Sequence, residues 1–206
     1  MCEEEGIDSL GFVLFSGLAR SMEPAEVREI GSRLGPMITR TAILPYDDIE
    51  TACDLALRSE VDAVQIHGCR PEHFDVLRGH GLKTICSVSV NSGTGVADVG
   101  CDELRELSSS CDCILFEPLV DGRCGGMGIR FDYECLRQRY VSCCRRFGVA
   151  GGLTPSNVHH ALALRPYSVN VSSGVEYSVG LKNRELVRDF VRQCKNSQPR
   201  KEDAMR

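Results

Sequence analysis

Short apolar runs recur along the chain, and stretches with helical spacing separate them. The runs are rich in Val, Ile, Leu and Phe and are apolar at successive positions rather than in strict alternation. That pattern is typical of strands that are covered on both faces. It predicts strands at residues 10–15, 37–44, 61–66, 83–90, 113–116, 147–150 and 168–171.

The intervening segments carry the spacing of amphipathic helices. In the first of them Val27, Ile30 and Leu34 recur at intervals of three and four residues. Pro24 suits a first helical turn, and Gly35-Pro36 ends the helix. The same reasoning predicts helices at residues 24–34, 47–58, 71–78, 102–107, 131–140, from 154 onward, and 183–194.

Strands that alternate with helices through short loops predict an α/β fold with a parallel sheet of βα units. Two architectures compete, an open doubly wound sheet and a closed (β/α)8 barrel, and the number of units favours the barrel. Seven units are one too few for a complete barrel. Because no composition break interrupts them, we expect a single domain over residues 1–196 and a polar tail over residues 197–206.

Composition and charge exclude several classes of protein. With 42% hydrophobic and 26% charged residues, the chain of 206 residues has a globular composition and no stretch long enough to form a membrane helix. The N-terminus lacks a basic segment followed by an apolar one, so we expect a cytoplasmic protein without a signal peptide. A net charge of −5 argues against nucleic acid as a partner.

Twelve cysteines invite three interpretations. A disulfide framework would suit a short secreted chain, which this is not. Zinc would require spaced ligand pairs, and Cys111-x-Cys113 and Cys143-Cys144 have no matching second pair nearby. Reduced thiols in a cytosolic protein are the interpretation we favour, and we assign no metal.

Two glycine loops at successive strand ends predict a phosphate site. Gly151 and Gly152 follow one strand and immediately precede a helix, and the next strand ends in Ser172, Ser173 and Gly174. Glycine lets backbone amides approach an anion, and a helix N-terminus adds a favourable dipole. The loops after the last two strands are where barrels commonly hold phosphate, whereas the alternative is a pair of tight turns without a ligand.

Three further polar residues fall at predicted strand ends. His67 follows Gln65 and is either a ligand contact or a hydrogen-bonded structural histidine. Glu117 comes directly after an apolar run, as either a loop cap or a general acid at the barrel mouth. Arg20 lies in the loop after the first predicted strand, where it is either merely solvated or within reach of the same rim.

Together these segments make the chain similar to the phosphoribosylanthranilate isomerase family, a group of barrel enzymes of tryptophan biosynthesis. The match follows the family's order from about residue 3 to about residue 195. The segments that carry it are residues 6–13 (GIDSLGFV), Arg20, residues 64–68 (VQIHG), residues 125–128 (GGMG), residues 131–132 (FD), residues 150–158 (AGGLTPSNV), residues 169–176 (VNVSSGVE) and Lys182.

The resemblance implies an Amadori rearrangement without a cofactor. An N-(5′-phosphoribosyl)anthranilate substrate becomes a 1-deoxyribulose 5-phosphate adduct: a carboxylic acid protonates the ring oxygen, and a cysteine thiolate removes a proton from C2′. Glu117 matches the general acid, Arg20 the partner of the anthranilate carboxylate, and the two glycine loops the phosphate cradle. His67 and Asn170 are implied as further substrate contacts. The small molecule is the expected partner, and a homodimer is compatible with the sequence.

Three departures from the family pattern matter. The family begins with a strand that ends in Lys-Ile-Cys-Gly and supplies the cysteine base, whereas the match here starts in the helix that follows. Glu117 stands where the family has aspartate, and the extra methylene shifts the acid by roughly 1 Å, a displacement that can cost on the order of a hundredfold in rate. Asn170 also replaces an aspartate. Cys86 and Cys124 are the candidate substitutes for the base.

Three hypotheses follow. The chain is an isomerase of this family, or a homologue that binds a phosphosugar without converting it, or another barrel isomerase that acts on an aminophosphoribosyl substrate with a different base. We expect the chain by itself to turn over phosphoribosylanthranilate far more slowly than the family does.

Overall fold

The computed structural model describes residues 1–14, 17–44, 48–120, 123–124 and 132–196. Seven parallel strands pair in chain order, and β6 adds antiparallel to the end of β5. The strands are β1 (Ser9–Val13), β2 (Thr39–Leu44), β3 (Ala63–His67), β4 (Lys83–Asn91), β5 (Cys113–Val120), β6 (Arg123–Cys124), β7 (Phe147–Ala150) and β8 (Ser168–Asn170). The predicted parallel βα architecture is therefore confirmed.

Helices connect successive strands, and local sequence sets where they begin. Asp48 caps α2 by accepting a hydrogen bond from the Thr51 amide at 2.9 Å, and Glu23 and Glu26 form a capping box at the start of α1. The helices are α1 (Pro24–Gly31), α2 (Ile49–Arg58), α3 (Pro71–Gly79), α4 (Cys101–Ser110), α5 (Tyr133–Arg139), α6 (Val158–Leu162) and α7 (Arg184–Asn196). Short 3₁₀ turns lie at Glu3–Glu5, Val141–Cys143 and Ser173–Val175.

The two faces of the sheet differ in character. Alternate strand residues such as Val64, Ile66 and Phe116 join the helices in one apolar cluster. Each such side chain, when fully buried, stabilises the fold by about 1.5–3 kcal/mol. The other face is the inner one and carries polar side chains, among them Gln65 and Glu117. The apolar core that stabilises the fold therefore lies between the sheet and the helices, and polar side chains lie on the inner face.

The sheet curls into a half-barrel instead of closing. Among the described residues, β1 has β2 as its only neighbouring strand, apart from a single bridge between Val13 and Ser21, and β8 pairs only with β7. Consistent with this, the inner-face residues Ser9 and Gly11 on β1 are exposed, whereas Gln65, Ser87 and Glu117 on the central strands are buried. We call the space between β1 and β8 the open edge.

Contacts on the outer side bring the two flanks of the open edge together. The 3₁₀ turn at Glu3–Glu5 packs against α7. Glu5 accepts hydrogen bonds from Arg188 at 2.8 Å and from Arg184 at 2.5 Å. These bonds lower the pKa of Glu5 to about 2. The start of the chain is thereby held on the last helix.

Two elements differ from their predictions. The apolar run 113–116 extends to a strand that ends at Val120, so Glu117 lies inside β5 rather than after it. A small hairpin of β9 (Glu176–Ser178) and β10 (Leu181–Lys182) was not predicted, and Gly180 turns it with a φ of +82°. The polar tail at 197–206 and the glycine segment at 125–128 lie outside the described residues.

The cysteines are distributed through the fold without cross-links. No disulfide joins the eleven described cysteines, and six of them, including Cys86 and Cys113, are buried. No group of three metal-ligating side chains gathers in the part of the chain that the structure describes. In that same part, no helix has the length and apolar character needed to cross a bilayer.

Candidate active site

Glu117 lies at the centre of a polar cluster on the inner face. The parallel register sets Glu117 beside Ser89 and sets His67 beside Ser87, so side chains from three strands converge. His67 Nε2 lies 3.3 Å from Glu117 Oε1, and Gln65 Nε2 donates to the same oxygen at 3.5 Å. Gln65 also donates to Ser87 Oγ at 3.0 Å, which fixes its amide.

This cluster holds a carboxyl group in a defined orientation and out of bulk water. The Glu117 side chain is 6% exposed, while the neighbouring His67 side chain is 25% exposed. An oriented, buried carboxyl group near the carboxyl ends of parallel strands is suited to exchanging a proton with a ligand there. His67 and Glu117, predicted separately, therefore lie at one place.

The loop after β7 is shaped by two glycines with left-handed backbone. Gly151 has φ +93° and Gly152 has φ +57°, conformations that residues with a Cβ rarely adopt. Asn157 locks the loop, because its Nδ2 donates to the Gly152 carbonyl at 2.9 Å and its Oδ1 accepts from the Thr154 amide at 2.9 Å. The helix that follows, α6, begins only at Val158, after this turn.

The loop after β8 packs directly on the loop after β7. A Cβ built on Gly174 would overlap the Leu153 carbonyl oxygen, so only glycine fits there. The 3₁₀ turn begins with a hydrogen bond from the Val175 amide to the Ser172 carbonyl at 3.3 Å. The first amides of such a turn, those of Ser173 and Gly174, have no partner within it and are available to an anion.

Substitution of Gly174 by alanine tests this contact. We expect Gly174→Ala to lower the free energy of unfolding by about 2–3 kcal/mol, because the new methyl group forces the two loops apart. Gly79→Ala is the control, since a Cβ at Gly79 meets no atom within 4 Å; its effect should stay within about 1 kcal/mol. Urea unfolding midpoints give both values, and equal stability of the Gly174→Ala variant and the wild type would show that the loops are not packed in this way.

Asn170 lies on the edge strand of the sheet. It pairs with Ala150 in the ladder, and Ser168, two residues earlier, faces the inner side against Gly148. Strand alternation therefore directs Asn170 to the inner face as well. Its side chain is partly exposed and is available to a ligand at the open edge.

Arg20 is held by Glu176, a residue for which no role was predicted. Its Nε and Nη2 donate to the two carboxylate oxygens of Glu176 at 3.0 and 2.6 Å. Lys182 Nζ donates to Glu176 at 2.9 Å. The Arg20 hydrogen bonds, followed by those from Lys182, lower the pKa of Glu176 to about 2. A glycine-turned hairpin signal around Gly180 could have indicated that Glu176 and Lys182 face each other.

Neither Cys86 nor Cys113 is placed to act as a base at this site. Cys86 belongs to the apolar cluster beneath the helices, and burial raises the pKa of its thiol. Cys113 lies four residues before Glu117 on β5, about 13 Å away along the strand. Burial raises the pKa of Cys113 to about 12. Cys86 is therefore a wrong substitute for the base, and the side chain of Cys124 lies outside the described residues.

Fold and site together define a class of protein. A parallel half-barrel carries a buried carboxyl group toward the carboxyl ends of its central strands, and glycine loops follow its last two strands. That plan is typical of barrel enzymes that perform acid–base chemistry on phosphorylated small molecules. A sequence profile for N-(5′-phosphoribosyl)anthranilate isomerases matches residues 3–193, and the chain belongs to this family.

Individual relatives match over nearly the whole chain. An N-(5′-phosphoribosyl)anthranilate isomerase of Thermotoga neapolitana is 32% identical over 193 residues, which cover 93% of this chain and 90% of the relative. A phosphoribosylanthranilate isomerase solved with reduced 1-(o-carboxyphenylamino)-1-deoxyribulose 5-phosphate is similar with a TM-score of 0.78 and 25% identity, over 95% of this chain and 91% of that one. A monomeric variant of the dimeric Thermotoga maritima enzyme is similar with a TM-score of 0.76 and 26% identity, over the same shares.

Proposed function

We propose that the chain acts as an N-(5′-phosphoribosyl)anthranilate isomerase of tryptophan biosynthesis. The observation that carries this proposal is the buried Glu117 carboxyl group, oriented by His67 and Gln65 on the inner face of the sheet. The reaction needs an acid for the furanose ring oxygen, an anchor for the phosphate and a cationic partner for the anthranilate carboxylate. The chain has a candidate for each of these tasks and needs no cofactor for them.

Different residues contact different parts of the substrate. Glu117 donates a proton to the ring oxygen, which opens the ring to a Schiff base. Gly151, Gly152, Ser172, Ser173 and Gly174 form the phosphate cradle, for which the amides of Ser173 and Gly174 are suited. Arg20 binds the anthranilate carboxylate, since a planar guanidinium pairs with it in two hydrogen bonds. His67 and Asn170 contact the sugar part of the substrate.

The complete architecture that fits this chemistry is a (β/α)8 barrel. We propose that one more parallel strand, the eighth of the barrel, belongs in the open edge between β8 and β1. This strand brings the cysteine base, which removes the C2′ proton. The exposed inner face of β1, at Ser9 and Gly11, supports this placement. The family further suggests a cytoplasmic enzyme that forms a homodimer.

A second candidate function is binding without conversion. It is favoured by one specific observation: neither Cys86 nor Cys113 is an ionisable thiol beside Glu117. A protein with the acid and both anion subsites, but without the base, would hold the phosphosugar and release it unchanged.

Ligand titration tests the substrate assignment independently of turnover. We expect the chain to bind reduced 1-(o-carboxyphenylamino)-1-deoxyribulose 5-phosphate at least about tenfold more tightly than the same compound without its phosphate, because charge-assisted hydrogen bonds contribute about 1.5–3 kcal/mol. Isothermal titration calorimetry measures both affinities. No binding of the phosphorylated compound at millimolar concentration would contradict the assignment.

A further inference from the structure

The ion network at the open edge has a defined geometry. Glu176 Oε2 accepts from Arg20 Nη2 at 2.6 Å, while its Oε1 accepts from both Arg20 Nε, at 3.0 Å, and Lys182 Nζ, at 2.9 Å. The Glu176 side chain is only 4% exposed. Two cations and one anion leave the network with a net charge of +1.

The pairing occupies one edge of the Arg20 guanidinium and leaves another available. A guanidinium offers five N–H donors in a rigid fork. The Nε–Nη2 edge belongs to Glu176, whereas the Nη1–Nη2 edge has no partner among the described residues. Arg20 remains a quarter exposed, so a ligand can reach that second edge.

The same network also contacts the loop of residues 172–174 after β8, which we call the phosphate loop. Lys182 Nζ also donates to the Ser172 carbonyl at 3.1 Å, immediately before the amides of Ser173 and Gly174. Arg20 follows β1 and Ser172 follows β8, so the network spans the open edge. It therefore sets the distance between a carboxylate held by Arg20 and a phosphate held by the loop.

We propose that Glu176 is a positioning residue that orients Arg20 so that its free Nη1–Nη2 edge receives the carboxylate of the substrate, with Lys182 fixing Glu176 to the phosphate loop. This inference rests on the proposed function. It assigns to Glu176 and Lys182 the selection of substrates that carry a carboxylate and a phosphate at a fixed separation.

Removing the negative charge of Glu176 has opposite expected effects on ligand binding, depending on whether charge or positioning dominates. Deleting a negative charge beside a subsite for an anion should strengthen the binding of that anion through Coulomb attraction. Loss of positioning should weaken it, because the guanidinium is no longer held at the correct angle. The direction of the change in affinity therefore separates the two accounts.

The experiment compares two ligands across four variants. Reduced 1-(o-carboxyphenylamino)-1-deoxyribulose 5-phosphate and its counterpart without the carboxylate are titrated into the wild type, Glu176→Gln, Arg20→Lys and the double variant. We expect Glu176→Gln to weaken binding of the carboxylated ligand by about 10- to 100-fold and of the other ligand by less than about threefold. In the Arg20→Lys background, Glu176→Gln should add less than about twofold, because its effect passes through the fork of Arg20.

A matched control removes a similar ion pair far from the rim. Arg40 donates Nε and Nη2 to Asp62 at 2.9 and 2.7 Å, at the opposite end of the strands. Asp62→Asn should leave both affinities unchanged. If Glu176→Gln is poorly folded, Arg20→Lys alone tests the fork, and it should lose affinity for the carboxylated ligand only.

Two results overturn the inference in different ways. Equal or tighter binding of the carboxylated ligand by Glu176→Gln refutes the positioning role while leaving the proposed function intact. Failure of the wild type to bind either ligand refutes the proposed function itself, and this inference with it.

Discussion

Joining a β-strand that ends in Lys-Ile-Cys-Gly ahead of Met1 is expected to raise the turnover of N-(5′-phosphoribosyl)anthranilate by about 100- to 10,000-fold, the usual contribution of a general base. The strand would enter the open edge between β1 and β8, where the described residues place no neighbouring strand and β1 makes only the short bridge from Val13 to Ser21. Its cysteine would then face the inner side near the rim. Loss of substrate fluorescence measures the rate.

The same strand with serine in place of its cysteine separates structure from chemistry. Both strands should raise the thermal stability of the protein equally, because both supply the same ladder hydrogen bonds and close the sheet. Only the strand with cysteine should raise turnover. If the 206-residue chain without an added strand already reaches the rate of the protein with the cysteine strand, a base other than this cysteine is at work.

The second large effect is expected from Glu117→Gln in the protein that carries the added cysteine strand, which we call the strand-completed protein. We expect kcat to fall by about 100- to 10,000-fold, because glutamine keeps the hydrogen-bond geometry but has no proton to donate to the ring oxygen. Affinity for the reduced product analogue should change little. The decrease in kcat with unchanged affinity is what steady-state kinetics and calorimetry together would record.

Two further variants complete that test. Glu103→Gln, an exposed residue of α4, should leave kcat unchanged. Glu117→Asp keeps a carboxylic acid and matches the residue type of the family, so it should retain activity that the glutamine variant lacks. Full activity of Glu117→Gln would mean that another group protonates the ring oxygen.

Most of the fold could be predicted from the sequence because its elements are locally determined. Apolar runs flanked by Gly35-Pro36 or by capping residues such as Asp48 specify both type and order of the elements. The end of β5 could not be predicted in this way. Pro118 follows Glu117 and indicates a strand end, but β4 extends to Asn91 and provides a partner for the longer strand.

The candidate site likewise has one part that could be predicted from local sequence and one part that could not. The glycine loop at 151–152 was predictable, since left-handed backbone there depends on the residues themselves. The contact that requires glycine at 174 is with Leu153 in the other loop and was not. The pairing of Arg20 with Glu176 joins residues 156 positions apart across the open edge. No local pattern contains that contact, because it depends on how far the sheet curls and on where the β9–β10 hairpin folds back.

Closure of the sheet into a barrel was the most detailed of the architectural predictions, and the described residues do not show it. The sequence favoured a barrel over an open sheet, and the structure has a curled half-barrel of seven parallel strands among its described residues. Contacts across the open edge, at Glu5 and at Glu176, keep the two flanks near each other. The strand pattern alone carries no information about these ion pairs.

The identity of the product tests the central claim most directly. Strand-completed protein is incubated with N-(5′-phosphoribosyl)anthranilate, and the products are resolved by chromatography and mass spectrometry. An isomerase yields 1-(o-carboxyphenylamino)-1-deoxyribulose 5-phosphate, which has the mass of the substrate but a ketose structure that borohydride converts to the reduced compound. Recovery of only unchanged substrate and free anthranilate, at the rate of a sample without protein, would contradict the account.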